Sequence, residues 1–284
     1  MFELQKEMKT KDNLSTKQPI TWCPGCPNHM ILESAKRAFT NLINSGTKQE
    51  EIVIVTGIGC HAKIFDYIGV SGFYGLHGRV IPTALGVCLG NPNLKVIGFG
   101  GDGDTYSEGI AHFIHAGRFN ADMTLVVHDN QSFSLTTGQA TPTSQQGYKS
   151  KAEPLGEFNI PLNPIKLALA SNFSFIARAN ARDIVHTAEI LEKAIRHKGF
   201  SFVEVVQDCL IFNPDMNNKD NLMYKIQDNK DKRKAEKLAE EWNYNGKEGK
   251  IPIGVIYKET RKSLDEEWPQ LQELKKKKVG WKGK

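Results

Sequence analysis

The sequence predicts an α/β fold, a doubly wound parallel sheet followed by a C-terminal extension. Short apolar runs alternate with segments of helical periodicity between residues 51 and 206, a pattern typical of parallel strands joined by helical crossovers. One apolar run leads into Gly101-Asp102-Gly103-Asp104, and the next leads into Asn130. Consecutive parallel strands place their carboxyl ends on one edge of the sheet, where ligands bind. The same pattern therefore predicts both the fold and the place of a site.

The individual elements follow from local composition and spacing. Strands are predicted where short β-branched or apolar runs occur, at residues 51–55, 94–99, 123–128, 173–177 and 201–206. Helices are predicted where apolar residues recur at helical spacing, at residues 31–43, 82–89, 108–118, 164–170 and 181–197. Residues 132–151 are rich in Thr, Ser, Gln and Gly and are expected to form a long functional loop.

Three regions are expected along the chain. Residues 1–20 are polar and predict an N-terminal arm, and residues 21–209 carry the α/β domain. Residues 210–284 are predicted to be an extension that packs on the core or on a partner. It contains a charged helical run at 228–242 and a late strand or apolar docking segment at 251–257.

Composition narrows the class of protein. The 284 residues are 39% hydrophobic and 24% charged, an ordinary globular balance. The net charge is +5, but the basic excess lies late, at Lys275–Lys278, without the aromatic interleaving of a nucleic-acid module. We find no signal-peptide pattern and no apolar run long enough to span a membrane. A cytoplasmic protein that binds neither nucleic acid nor membrane is expected.

Asp102 and Asn130 are candidate metal ligands. Both follow predicted parallel strands, so a carboxylate and an amide oxygen would meet at one sheet edge. Hard oxygen ligands suit Mg²⁺, which shares its coordination shell with substrate phosphates. The glycines of the segment, Gly101 among them, would let a diphosphate approach the backbone. The plain alternative is a glycine-rich turn beside an ordinary strand-end asparagine.

The cysteines suggest a second centre. Cys23 and Cys26 flank a Pro-Gly turn, whereas Cys60 and Cys209 follow predicted strands at the same sheet edge. A Cys-x-x-Cys pair alone suits zinc, a dithiol or half of a cluster site. The thioredoxin context and a second zinc pair are both missing, which favours a Cys₄ [4Fe-4S] site over purely structural cysteines. Cys88 lies in an apolar helix and is expected to be an inert thiol.

Motifs in seven places resemble those of the beta subunits of the 2-oxoacid:ferredoxin oxidoreductases, which bind thiamine diphosphate. The resemblance covers roughly residues 20–212. The matching segments are 22–26, 57–63, 76–82, 101–104, 112–116, 129–130 and 135–143. Three places depart from the family pattern. Position 28 follows Cys26-Pro27, where the family more often has Gly-Asn after the second Cys. His61 stands where Ser or Thr is common, and the segment 132–134 replaces a more usual Ile-Tyr-Gly, which puts Ser134 in the place of glycine. Ser134 and His61 put the shape of the pocket in question.

The resemblance implies a set of cofactor ligands. Cys23, Cys26, Cys60 and Cys209 would hold the [4Fe-4S] cluster. Mg²⁺ would be bound by the side chains of Asp102 and Asn130 and by the backbone carbonyl of Ser132. Thiamine diphosphate would be lined by Ile58, Gly59, Cys60, His61, His77, Gly103, Asp104, Ser134 and Leu135.

The resemblance also implies a reaction in which a 2-oxoacid loses carbon dioxide, electrons pass singly to ferredoxin, and coenzyme A takes the acyl group. His77 or His61 is a candidate to polarise the substrate or handle protons, and Lys63 to pair with its carboxylate. Structural histidines and a solvated lysine are the alternatives. The family's ylid-forming Glu comes from an alpha subunit, and Glu108 does not replace it. The chain is therefore expected to act only with an alpha, or alpha and gamma, partner.

Other functions remain open on the sequence alone. A self-contained thiamine decarboxylase or synthase should be much longer and lack the cysteine set. A non-enzymatic iron–sulfur or zinc protein would have no use for Asp102 and Asn130 at this spacing. A non-oxidative 2-oxoacid decarboxylase component with structural cysteines is the nearest alternative. The sequence does not separate pyruvate from 2-oxoglutarate as the substrate.

Overall fold

The computed structural model describes residues 9–246 and 249–278. The strands in these ranges form one sheet in the order β2-β1-β3-β4-β6-β5-β8-β7. The strands are β1 (Ile52–Thr56), β2 (Ser71–Tyr74), β3 (Lys95–Gly101), β4 (Met123–Asp129), β5 (Phe175–Asn180), β6 (Ser201–Val206), β7 (Met223–Lys225) and β8 (Ile251–Lys258). The first six in spatial order pair in parallel. This confirms the predicted α/β class.

Helices cover both faces of the sheet. They are α1 (Asn28–Asn44), α2 (Ile64–Tyr67), α3 (Val80–Gly90), α4 (Ile110–Phe119), α5 (Pro164–Ala170), α6 (Ile184–Arg196), α7 (Lys232–Glu240), α8 (Leu264–Glu267) and α9 (Pro269–Lys276). One apolar core lies under α1 and α6, and the other under α3, α4, α5 and α7. Because both faces are covered, the central strands are buried along their whole length. Among the described residues, no helix is both long and apolar enough to cross a membrane.

The sheet differs from the prediction at three strands. β8 runs antiparallel to β5, whereas the alternating pattern predicted parallel strands and left the pairing of the late apolar segment open. The late apolar segment thereby covers what would otherwise be an exposed strand edge at β5. β2 was not predicted, because its four residues are exposed and glycine-containing and carry no apolar pattern. β7 was not predicted, because its three residues lie in a stretch of polar composition.

The ends of the chain are tied to the core. Residues 1–8 of the predicted arm, and residues 247–248 and 279–284 of the predicted extension, lie outside the described residues. Within the rest of the arm, Leu14 is buried and Ser15 forms a bridge with Ile68. At the other end, Lys198 pairs with Asp122 and Asp265, which anchors α8 and α9 to the domain.

A buried ion pair joins the C-terminal region to the sheet. Arg178 on β5 donates to Glu204 on β6 at 2.6 Å, and both side chains are fully buried. The hydroxyl of Tyr244 donates to Glu204 at 2.6 Å and accepts from Arg178 at 2.8 Å. Trp242 stacks on Tyr244 and lies under the guanidinium. The segment before β8 thus adds a bridging hydroxyl and an aromatic ring to the buried ion pair.

Glu204→Gln should lower the free energy of unfolding by about 3–5 kcal/mol, because it leaves the Arg178 charge buried without its counter-ion. Urea denaturation followed by circular dichroism measures the loss. Glu192→Gln removes the carboxylate of the surface pair with Arg196 and should change stability little. Equal effects of the two variants would contradict this role for the buried pair.

Candidate cofactor site and cysteine cavity

The strand ends bring the candidate site residues together. In the sheet, Gly101 of β3 lies opposite His128 of β4, and Asp129 of β4 lies opposite Val206 of β6. Asp102, Asn130 and Gln207, which come directly after these three strands, therefore lie side by side at the carboxyl edge. The structure thus shows the juxtaposition that the sequence predicted for Asp102 and Asn130.

A pocket opens at this edge. It is lined by Ile58, Gly59, Cys60, His61, His77, Gly101, Asp102, Gly103, Asp104, His128, Asn130, Ser132, Phe133, Ser134, Leu135, Thr136 and Gln207. Every residue that was predicted to bind the thiamine cofactor or Mg²⁺ is in this set. The segment after β3 turns directly into a π-helical stretch, Asp104–Glu108, a rare form that often marks functional sites.

Asp102 is buried and held by two hydroxyls from the long loop. Its Oδ2 accepts from Thr141 at 2.5 Å and lies 3.0 Å from the hydroxyl oxygen of Thr143. Burial raises the pKa of Asp102 to about 6, although both threonines and the local backbone lower it. A carboxylate in such surroundings gains from a cation beside it, as metal ligation would provide.

Asp129 is a second buried carboxyl next to Asp102. The Thr143 hydroxyl lies 3.0 Å from its Oδ1 as well as from Asp102. Burial raises the pKa of Asp129 well above its usual range, and the charges of Asp102 and Glu204 raise it further. A hydroxyl donates one hydrogen, so Thr143 satisfies both carboxyls only if one of them carries a proton. The raised pKa of Asp129 disfavours a second negative charge beside Asp102.

Glycines open the pocket to a ligand. A Cβ on Gly103 would lie 2.2 Å from the ring of Phe133, so no larger residue fits there without displacing that ring. Gly59 has φ +149°, a conformation that L side chains rarely adopt, and a Cβ there would meet the His61 ring at 2.8 Å. Both glycines line the pocket, and a side chain at either position would collide with an aromatic ring of the pocket wall.

The two candidate histidines differ in surroundings. His61 is buried, and its Nε2 lies 3.5 Å from Oδ2 of Asp104. The other oxygen of Asp104 accepts the backbone N–H of Gly78 at 2.6 Å, which holds the loop that carries His77. His77 is partly exposed and pairs with Glu108 at 3.0 Å. Glu108 therefore contacts a pocket histidine.

Several buried polar atoms of the pocket lack partners. Within the part of the chain that the structure describes, no hydrogen bond reaches His61 Nε2, Asp104 Oδ2, His128 Nε2 or Gln207 Oε1. Native interiors leave few such atoms, and an unfilled ligand site is one of their causes. Together with the glycine-lined backbone and the carboxylate–amide pair, these atoms fit a polar cofactor with a cation.

The four predicted cluster cysteines line a second cavity of about 170 Å³. Cys60, Asn130, Ser134 and Leu135 line both cavities, so the two adjoin. Trp22 fixes the Cys23–Cys26 turn beside Cys60 by donating to the Cys60 carbonyl at 2.7 Å. Burial raises the pKa of Cys60 to about 11, and the other three thiols add to the rise although Lys63 opposes it.

The thiols surround a space and do not converge on a point. Among residues 9–246 and 249–278, no set of three or more His, Cys, Asp or Glu side chains is placed to hold a metal ion. A four-iron cluster, which is held by four thiolates, needs wider spacing than the ligands of one ion. Four thiols around one cavity are the donor set that a [4Fe-4S] cluster takes.

Lys63 and Cys88 lie outside the cofactor pocket. Lys63 lines the cysteine cavity, 3.5 Å from the backbone carbonyl of Thr21. Cys88 is buried on α3, and burial raises its pKa to about 12, as expected for an inert thiol.

Sequence reasoning missed several residues of the site. Thr141 and Thr143 were seen only as part of a motif, and His128 only as part of a strand. Asn28, which accepts a hydrogen bond from His128 at 2.8 Å, was noted only as a departure from the family pattern and was given no role. Its place directly after Cys26-Pro27 was the one available signal.

The fold and pocket are those of a thiamine diphosphate enzyme: residues 57–205 match the family described as "Thiamine pyrophosphate enzyme, C-terminal TPP binding domain". A 2-oxoacid:ferredoxin oxidoreductase subunit beta from a Sulfolobus species is 41% identical, with 85% of this chain and 83% of the relative covered. A 2-oxoglutarate synthase subunit KorB from Archaeoglobus fulgidus is 40% identical, with 70% and 73% covered.

A solved structure gives the same assignment. A 2-oxoglutarate:ferredoxin oxidoreductase from Magnetococcus marinus, with 2-oxoglutarate, coenzyme A and succinyl-CoA bound, superposes with a TM-score of 0.87 at 30% identity. The match covers 99% of this chain and 94% of that one. The chain belongs to the 2-oxoacid:ferredoxin oxidoreductase beta subunits, which confirms the family and enzyme class that the motifs predicted.

Thr141→Val should weaken binding of Mg²⁺ and thiamine diphosphate by about tenfold, because a buried carboxylate loses a hydrogen-bond donor. Calorimetric titration of the complex with its alpha subunit measures the affinity. Thr260→Val changes an exposed threonine after β8 and should leave binding unchanged. Unaltered affinity in Thr141→Val would show that this hydroxyl does not support the metal ligand.

Proposed function

We propose that this beta subunit catalyses, with an alpha subunit, the coenzyme A-dependent oxidative decarboxylation of a 2-oxoacid. In the overall reaction, one 2-oxoacid anion, one coenzyme A thiol and two oxidised ferredoxins give acyl-CoA, carbon dioxide, two reduced ferredoxins and a proton. The observation that carries the proposal is the shared wall between the pocket and the cavity of four cysteines.

Thiamine diphosphate and Mg²⁺ would occupy the pocket. Asp102 and Asn130 would offer side-chain oxygens to the cation, and Ser132 its backbone carbonyl. Gly101 and Gly103 would leave room for the diphosphate. When bound, thiamine diphosphate supplies an electron sink for decarboxylation. The unpartnered buried atoms around the pocket support this assignment.

A [4Fe-4S] cluster would be held by Cys23, Cys26, Cys60 and Cys209. Burial raises the pKa of Cys26 and Cys60, so the thiolate forms that bind iron need the positive charge of iron nearby. The shared wall would keep the cluster beside the cofactor. Such placement suits the removal of electrons one at a time.

The chain's own polar groups have distinct proposed roles. His61 would present its buried Nε2 to the reacting end of the pocket. His77, held by Glu108, would handle protons at the more exposed side. Lys63 would attract the substrate carboxylate toward the border of the two cavities.

The alpha subunit would complete the site. The carboxylate that forms the thiamine ylid in this family belongs to that subunit, and Glu108 is paired with His77. This chain alone would therefore bind the diphosphate half of the cofactor and the cluster without turning over. Pyruvate and 2-oxoglutarate are the candidate substrates, and several relatives are named for 2-oxoglutarate.

Anaerobic co-expression with the alpha subunit tests the proposal through iron, sulfide and thiamine content and ferredoxin reduction. The complex should hold four irons per alpha–beta unit and reduce ferredoxin with a 2-oxoacid. Cys209→Ser should lose the iron, whereas Cys88→Ser should keep it. Thiamine without iron in the unmodified complex would instead indicate a non-oxidative decarboxylase with structural cysteines.

Lys63→Gln should raise KM for the 2-oxoacid by about tenfold, with a smaller change in kcat, because it removes the charge that meets the carboxylate. Steady-state ferredoxin reduction gives both constants, and the exposed Lys48→Gln is the control. An unchanged KM together with loss of iron would assign Lys63 to the cysteine cavity instead.

A further inference from the structure

Asn28 and His128 form a buried connection between the two cavities. Asn28 is the first residue of α1, directly after Cys26-Pro27, and is 1% exposed. Its Oδ1 accepts from Nδ1 of His128 at 2.8 Å. His128 lies on β4, is 2% exposed and lines the cofactor pocket. Asn28 itself lines the cysteine cavity, so this one hydrogen bond crosses the wall between them.

The chemistry of the amide fixes the direction of each contact. An amide oxygen only accepts, so Nδ1 of His128 must carry the hydrogen of the shared bond. The other ring nitrogen, Nε2, has no hydrogen-bond partner among the described residues. This nitrogen belongs to a side chain that lines the cofactor pocket. Asn28 thereby selects the tautomer in which that nitrogen is an acceptor.

The other end of Asn28 faces the cluster ligand. Asn28 lines the same cavity as Cys26, which lies two residues before it in the chain. Burial raises the pKa of the Cys26 thiol, whereas hydrogen bonding from the backbone and side chain of Asn28 lowers it. With the amide oxygen turned to His128, the NH₂ group is left as the side-chain donor to sulfur. Hydrogen bonds to cluster sulfurs are one of the means by which proteins set a cluster's reduction potential.

We propose that Asn28 is a positioning residue that holds the Cys26 sulfur and the His128 imidazole as one hydrogen-bonded unit, coupling the cluster to the cofactor pocket. The inference rests on the proposed function, since it presumes a cluster on Cys26. The two contacts of Asn28 have separate effects. The amide N–H stabilises the reduced, more negative cluster, whereas the imidazole acts on the occupant of the pocket.

Two variants separate these effects in the complex with the alpha subunit. Asn28→Ala removes both contacts. It should make cluster reduction about tenfold less favourable, which for one electron is a fall of about 59 mV in midpoint potential. His128→Asn keeps a donor near the Nδ1 position and removes Nε2. It should leave the potential unchanged and slow cluster reduction by the 2-oxoacid about tenfold.

The measurements are a redox titration followed by electron paramagnetic resonance and a stopped-flow comparison of reduction by 2-oxoacid and by dithionite. Asn41→Ala, an exposed asparagine on the same helix, is the matched control. A potential in Asn28→Ala equal to that of Asn41→Ala would overturn the proposal. So would reduction in His128→Asn at the unmodified rate.

A second substitution covers the case in which Asn28→Ala fails to assemble. Asn28→Asp keeps the oxygen that accepts from His128 and replaces the donor to sulfur with an acceptor, so the potential should fall. An unchanged potential in this variant would overturn the proposal. If the unmodified complex contains thiamine but no iron, the proposed function fails as well. If it holds both and turns over, failure of the variants rejects the Asn28 connection alone.

Discussion

The parallel pairing of β3, β4 and β6 is the constraint on which the site depends. It places the residue after each strand at the same edge, so that Asp102, Asn130 and Gln207 lie together before any side-chain contact forms. A shift of one residue in either pairing would turn each side chain to the opposite face. The buried apolar residues on both faces prevent such a shift.

Buried charge at this edge needs compensation from outside the strands. Asp102 is held by hydroxyls of the loop after β4, and Asp129 lies between Asp102 and Glu204. Glu204 is neutralised by Arg178, which the C-terminal segment covers through Tyr244. The C-terminal region is therefore part of the electrostatic support of the site and also the cover of a sheet edge.

The sequence could predict the residues that sit at strand ends. Asp102, Asn130, Cys60 and Cys209 were found because a strand end in a parallel sheet has a known location, whatever the tertiary detail. Thr141 and Thr143 could not be assigned a role, since composition indicates a loop but not where the loop folds back. His128 was hidden because a histidine within an apolar run looks like any strand residue. The direction of β8 depends on which edge is free, and that is a property of the whole sheet.

The two cavities share lining residues that follow the ends of β1 and β4. Cys60 and Asn130 face both spaces, so a thiol of the cysteine cavity is also a lining residue of the cofactor pocket. A movement of Cys60 or Asn130 that enlarges one cavity would narrow the other. Separate structural units for the two centres would not impose this restriction. The shared residues follow β1 and β4, and both of these strands pair with β3. The relative position of the two cavities therefore depends on neighbouring strands that are buried along their whole length and closely packed.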